Sequence, residues 1–334
     1  MTHRIHALRV EHLAQAPADF LQGDPEGGAY HRAFQAAELP DFQFGYYAVW
    51  RGEERVAVVP YFVMDFRLTT MLGEEGLARW LGWVRFKIAC VGHPSTDIGR
   101  IDGEVSQAVL AAVNAELSGK AALIAYKGFD GDLPLPGFVR ARGLPVAVLD
   151  LAADYWKSIG TDRRNNFKQK LRQGRSLTVI ERDGCDDALA QSLFALYLQT
   201  YQRAAIKFEL LTPKYFTATA DISRYLLFYE QDRLIGFVQL ICTPPRMVFR
   251  YIGMDYERNR RYGLYFLLFL KGIEVCLREG LTEMECGPTS YDFKRRLGCR
   301  MQETFVYYRH RNPFLHWLLG RARGLLEPSE EELA

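Results

Sequence analysis

The residues best suited to chemistry lie in one stretch, from Val248 to Leu268. A β-rich run ends near Asp255, a short polar segment carries Arg258, Arg260 and Arg261, Gly263 follows, and a long apolar helix begins. The start of a helix presents unpaired N–H donors and a partial positive charge, which suits a phosphate or pyrophosphate. The arginines add full charges where such a ligand would arrive. Gly263 lets it come close to the backbone. The pattern is an anion cradle without a Walker motif. Three arginines on a solvated surface loop beside a turn glycine is the competing reading.

The elements that must hold this turn follow from hydrophobic periodicity and turn residues. Ahead of it come a strand at Val146–Leu151, a basic helix at Tyr155–Arg172, a strand at Leu177–Glu181 and a helix at Asp186–Ala204. A hairpin of Tyr225–Glu230 and Arg233–Cys242 leads to a strand at Met247–Met254. Helix Tyr262–Glu279, strand Thr282–Cys286, a short helix near Tyr291–Leu297 and a strand at Glu303–Arg309 complete this half. The first half has a similar order: helix Gly28–Ala37, hairpin Phe44–Arg51 and Val56–Phe66, helix Gly73–Val84, strand Phe86–Val91, helix Val105–Leu117 and strand Ala121–Tyr126. Prolines and glycines between 134 and 145 mark a connection. The expectation is mixed α/β, as two related domains spanning 1–145 and 146–334, each a mainly antiparallel sheet flanked by helices.

The turn Arg260-Arg261-Tyr262-Gly263-Leu264-Tyr265 resembles the Arg/Gln-x-x-Gly-x-Gly/Ala turn of the GNAT acyltransferases, with Tyr265 where that pattern has Gly or Ala. The run from Tyr291 through Lys294 to Gly298 is similar to the helix after the fifth strand of that superfamily. It is closer to the branch of tandem GNAT-like domains that includes Fem-type peptidyltransferases and BioF2-like acyltransferases. Asp162-Arg163-Arg164-Asn165-Asn166-Phe167-Lys168 resembles an Arg-rich helix of that branch. The resemblance covers nearly all of the second half and only the element order of the first.

The resemblance implies transfer of an acyl group from acyl-CoA to an amine, with no permanently bound cofactor. Arg258, Arg260, Arg261, Tyr262, Gly263, Leu264 and Tyr265 would hold the donor pyrophosphate, and the Tyr251–Met254 backbone would meet the acyl carbonyl. Tyr291 would be the general acid facing the leaving thiolate, and Glu285 and Asp255 candidate bases. Lys294 and Arg295 can share a helical face with Tyr291, where they would hold a donor phosphate or an acidic acceptor, or be plain surface charge. The N-terminal domain is expected to be degenerate and to shape the site of an amine-bearing small molecule or peptide. The alternatives are an aminoacyl-tRNA donor, as in Fem-type enzymes, and a non-catalytic ligand-binding module. The charges from Arg163 to Arg175 suit an RNA backbone. Against that stand a net charge of +2 and the lack of a long heptad arm.

Composition excludes several classes. With 49% hydrophobic and 25% charged residues the chain reads as a folded globular protein. The charge gives no global basic field for DNA. The six cysteines have no Cys-x-x-Cys pair and no histidines at ligand spacing, so neither a metal nor a disulfide framework is expected. No signal-peptide core and no stretch of about 18 uncharged apolar residues occurs, so cytoplasmic is the expectation. The apolar segment Asn312–Leu326, with basic punctuation, is expected to pack on its own domain rather than on a membrane or partner.

Overall fold

Long β-branched and aromatic strands dominate both halves of the chain. The computed structural model, which describes residues 7–67, 85–204, 209–330 and 332–333, gathers them into two mixed sheets. The first compact unit comprises Met1–Leu21, Pro40–Pro145 and Gln302–Ala334; the second comprises Gln22–Leu39 and Val146–Met301.

After β1 (Leu8–Leu13) the chain gives α1 (Gly28–Ala36) to the second unit. The first unit continues with β2 (Gln43–Arg51), β3 (Glu54–Arg67), β4 (Arg85–Val91) and β5 (Asp102–Gly103). Then come α2 (Gln107–Ser118), β6 (Leu123–Phe129) and β7 (Val139–Arg142). Strands β1 to β4 form an antiparallel meander, and β6 joins β4 in parallel from Ile88–Leu123 to Val91–Tyr126. A parallel step needs a crossover, and α2 supplies it. Ser106 caps α2 by accepting from Val109 N at 3.3 Å, and the helix buries Val109, Leu110, Val113 and Leu117.

The second unit runs through β8 (Val146–Asp150), α3 (Tyr155–Ser158), α4 (Thr161–Gln173), β9 (Thr178–Asp183), α5 (Asp187–Arg203) and α6 (Pro213–Ala218). Strands β10 (Arg224–Glu230), β11 (Arg233–Thr243) and β12 (Arg246–Met254) follow, then α7 (Tyr256–Tyr262), α8 (Leu264–Glu279), β13 (Glu283–Gly287), α9 (Tyr291–Leu297) and β14 (Arg300–Gln302). The sheet order is β14-β8-β13-β12-β11-β10-β9, with β12 and β13 parallel. Its central strands read as near-continuous apolar runs because helices cover both faces. Leu264, Leu268 and Phe269 of α8 join Leu226, Val238, Leu240 and Phe249 in one core. Tyr225, Phe237 and Tyr251 point the other way, to Tyr197 of α5 and Tyr215 and Phe216 of α6. The chain then returns to the first unit, where β15 (Phe305–His310) lies between β6 and β7, followed by α10 (Pro313–Arg321).

Several elements differ from the sequence expectation. The two units meet in sequence at Pro145 and Val146, yet Gln22–Leu39 and Gln302–Ala334 each belong to the opposite unit from the expected division. Charge explains the first exchange: Asp24 accepts from Arg246 at 2.9 Å and Glu26 pairs with Arg250, both arginines being on β12. Phe34 of α1 also packs against Tyr215. Hydrogen bonding explains the second, since β15 finds two antiparallel partners. The expected basic helix breaks at Ile159, which is extended, and Gly160, which is not helical. The expected three-arginine loop is α7, whereas β1, β7, α6 and β14 gave no periodic signal. The expected helix Gly73–Val84 lies outside the described residues.

Gly253 fixes α5 on β12. A Cβ there would stand 2.5 Å from Tyr197 N and 2.4 Å from Phe237 Cε1. Gly253→Ala should therefore cost about 2 kcal/mol of unfolding free energy by denaturant titration; an unchanged midpoint would refute this close packing.

Candidate active site

Strand β12 is paired on both sides only at its start. Its parallel ladder with β13 runs Arg246–Glu283, Met247–Met284 and Val248–Glu285 and ends there. Its antiparallel ladder with β11 continues to Met254, interrupted by a bulge in which Arg250 is the extra residue between Phe249–Leu240 and Tyr251–Gln239. Past Val248, alternate residues of Phe249–Met254 direct their N–H and C=O groups away from β11, toward the edge that β13 has left. A V-shaped opening with donors along one wall results. Phe249 stacks on Phe269 of α8 at 4.1 Å, and Phe269 meets Tyr265 and Phe293, which closes the core side of the opening with aromatic rings.

The turn expected to hold the donor begins where β12 ends. Asp255 caps α7, its Oδ1 accepting from Glu257 N at 3.0 Å and Arg258 N at 3.3 Å, while Oδ2 accepts from Arg233 at 2.7 Å. Both oxygens are engaged, so the carboxylate serves as a cap and not as the base expected from its position. Gly263, at φ 64° and ψ 43°, ends α7 and starts α8 in the left-handed region that glycine enters at little cost. The arginines divide. Arg258 and Arg261 both donate to Glu230, at 2.9 and 3.2 Å, and the Tyr262 hydroxyl donates to the same carboxylate at 2.5 Å. These groups tie the turn to β10 instead of standing free for a ligand. Arg260 is exposed and forms no ion pair among the described residues.

Two further groups at the turn carry no signal in the sequence. Lys170 of α4 reaches the turn, its Nζ 3.9 Å from where a Cβ on Gly263 would stand and 5.0 Å from the Phe266 ring centroid. Its place in the run of charges gave no signal that it faces α8. Asn259 accepts from Tyr265 N at 3.0 Å, so one amide of the α8 N-terminus is already satisfied by a neutral side chain. Leu264, expected in the cradle, is fully buried in the core. Tyr265 turns inward onto Phe269 and Phe293 and bonds Ser290, and burial pushes its phenol up to about 12.

Tyr291 begins α9 just past the C-terminal end of β13, on the side where the strands part, and is fully buried. Glu285 is also buried, at the last paired position before the opening, and accepts from Arg246 at 3.1 Å. The same guanidinium serves Asp24 and Glu283, so three carboxylates share one cation. Lys294 is buried and donates to the carbonyls of Gly287 at 2.9 Å and Pro288 at 2.6 Å. It braces the β13–α9 turn and does not face a phosphate, contrary to expectation; Arg295 lies over Tyr291 and pairs with Asp292. The Cys286 thiol is held well above its ordinary value by its contact with Cys299 and by burial, which makes it a poor nucleophile. Among the described residues no cluster of His, Cys, Asp and Glu could hold a metal.

This order of strands, with a parallel pair that parts and a helix N-terminus beside it, agrees with a family match and with solved structures. Residues 161–295 match the family model described as Acetyltransferase (GNAT) domain. The C-terminal domain of a protein described as a lysylphosphatidylglycerol synthetase from Agrobacterium fabrum is similar in fold, with a TM-score of 0.56 at 12% identity, covering 92% of this chain and 93% of that one. L-PGS from Bacillus licheniformis gives 0.57 at 11% identity, over 87% and 91%. FemX gives 0.54 at 10% identity, over 87% and 98%. No curated protein matches. Residues 161–295 thus form a domain of the GNAT acyltransferase superfamily, in a chain whose fold is shared with FemX and with L-PGS.

The Glu230 clamp has a definite pH response. The Tyr262 hydroxyl, and then the Arg258 guanidinium, hold this carboxyl below its ordinary value, so it stabilises the fold above that value and stops doing so as pH falls through the lowered one. Hydrogen-exchange protection of α7, corrected for intrinsic rates, should stay level from neutral pH down to about 4.3 and fall only below it. Glu230→Gln should lower it at neutral pH and remove this pH dependence. Loss of protection already near neutral pH would show that the carboxylate is not the tie.

Proposed function

We propose that the protein is an N-acyltransferase that moves an acyl group from acyl-CoA to an amine on a small molecule or peptide. One observation carries this: the same strand, β12, contains the bulge at Arg250, loses its β13 partner after Val248 and leads through the short α7 to the helix N-terminus at Gly263. An elongated donor with an anionic end fits that sequence of features. Its pyrophosphate would lie at the α8 N-terminus with Arg260 and Lys170. Its pantetheine amides would extend the open edge of β12 as an added strand would. An edge N–H of Phe249–Met254 would then receive the thioester carbonyl and stabilise the oxyanion as the amine adds.

Collapse of the tetrahedral adduct breaks the C–S bond, so the sulfur gains a proton and the nitrogen loses one. Tyr291, past the end of β13, is our candidate donor of the first, and Glu285 our candidate acceptor of the second. Both candidate donors, acyl-CoA and charged tRNA, are made in the cytoplasm, and we place the activity there.

A second reading has its own support. Arg163, Lys168, Arg172 and Arg175 are exposed on and just after α4, and none makes an ion pair among the described residues. Helix α4 packs on α7 and α8, so this basic face continues the donor turn and suits a nucleic-acid backbone carrying an aminoacyl group.

Binding separates the two. Coenzyme A should raise the melting temperature, and Arg260→Ala or Lys170→Ala should each weaken it about tenfold by calorimetry. Asn259→Asp should raise stability by about 0.5 kcal/mol, because a carboxylate suits a helix N-terminus, yet lower coenzyme A affinity. Tyr291→Phe should reduce kcat about a hundredfold and leave donor affinity alone. Absence of coenzyme A binding, with salt-sensitive tRNA binding lost on reversing the α4 charges, would transfer the proposal to the second donor. Binding of neither would leave a non-catalytic module.

A further inference from the structure

Helix α10 lies against β15 of its own unit, as expected, yet most of its apolar side chains face solvent. Asn312 caps it, accepting from Phe314 N at 2.9 Å and Leu315 N at 3.1 Å, and Pro313 occupies its first turn. The helix is therefore locally well specified. Yet no residue of it is buried. Phe314, Leu315, Trp317 and Leu318 are 66%, 42%, 54% and 48% exposed, and their spacing puts them on one face. Leu325, in the turn that follows, is 68% exposed. Solvent-facing aromatic and leucine side chains in such a continuous group mark a surface that something covers.

The charges around this face identify what covers it. From Thr304 to Leu326 the chain has no aspartate or glutamate. Arg309, Arg311 and Arg321 are exposed and make no ion pair among the described residues; Arg321 lies 5.3 Å over the Trp317 ring. Lys87 and Lys120 line a groove with Arg311 and extend the positive rim. A twofold contact of this stretch with itself would set its arginines against a surface that also lacks carboxylates. An anionic bilayer accepts both components: its interfacial layer takes Trp, Phe and Leu, and its phosphates take arginine. A helix of nine residues spans about 14 Å, so it can lie in that layer but not cross it.

We propose that α10 is a membrane-surface anchor, with Phe314, Trp317 and Leu318 inserted among the lipids of an anionic bilayer and the flanking arginines on their phosphates. This stands independently of the donor and acceptor of the reaction.

Flotation of the full chain with phospholipid vesicles tests it. Binding should be seen with vesicles of mixed phosphatidylcholine and phosphatidylserine, not with phosphatidylcholine alone, and should fall as salt is raised. The double variant Phe314→Ser, Trp317→Ser, whose melting temperature should match the parent because both side chains are exposed, should partition at least about tenfold less. Arg309→Gln and Arg321→Gln should each reduce partition about fivefold. No flotation with anionic vesicles, or equal flotation of the double variant, would overturn the proposal. So would a dimer in the absence of lipid that the double variant abolishes, since a second copy would then cover the face.

Discussion

Pairing between β12 and β13 stops at Val248, and the geometry of the candidate site depends on that interruption. A strand with an unpaired edge inside a folded unit is a liability unless something completes its hydrogen bonds. The rest of the second unit holds β12 in this state. The β11 ladder continues along its other edge, α5 presses on Gly253, and Arg246 and Arg250 are fastened by carboxylates from the segment before α1. Support on three sides leaves the fourth edge of β12 open past Val248. The bulge at Arg250 turns the strand just past the point where its neighbour leaves.

The donor turn follows from where β12 ends. Asp255 stops the strand and starts α7 in a single step, and Gly263 turns α7 into α8 without a longer linker. Glu230 gathers Arg258, Arg261 and Tyr262, which spends most of the local charge on holding the turn in place. Arg260 and Lys170 stay outside this clamp, and Asn259 satisfies one amide at the start of α8.

Much of this was legible in the sequence. The hairpin β10–β11, strand β12, helix α8 and strand β13 are continuous apolar runs whose turns carry polar or glycine residues, and their order led to the GNAT resemblance that the family match over residues 161–295 bears out. What was not legible depends on contacts distant in sequence. Asp24 and Glu26 lie more than 200 residues from their arginine partners, and nothing in their neighbourhood announces the pairing. Strand β15 reads as a strand, but its choice of sheet is set by β6 and β7. Lys294 sits where a phosphate ligand would on a helical wheel, and only the fold turns it onto two carbonyls. Tyr265 breaks the small-residue pattern because its ring packs inward, which side-chain size alone does not convey.

Amide hydrogen exchange along β12, with and without a non-hydrolysable acyl-CoA analogue, tests the central claim most directly. The open edge should become protected between Phe249 and Met254, together with the first turn of α8, while β10 stays unchanged. Binding of the analogue with β12 exchange unaltered would contradict the account, because the donor would then lie somewhere other than the opening that this strand forms.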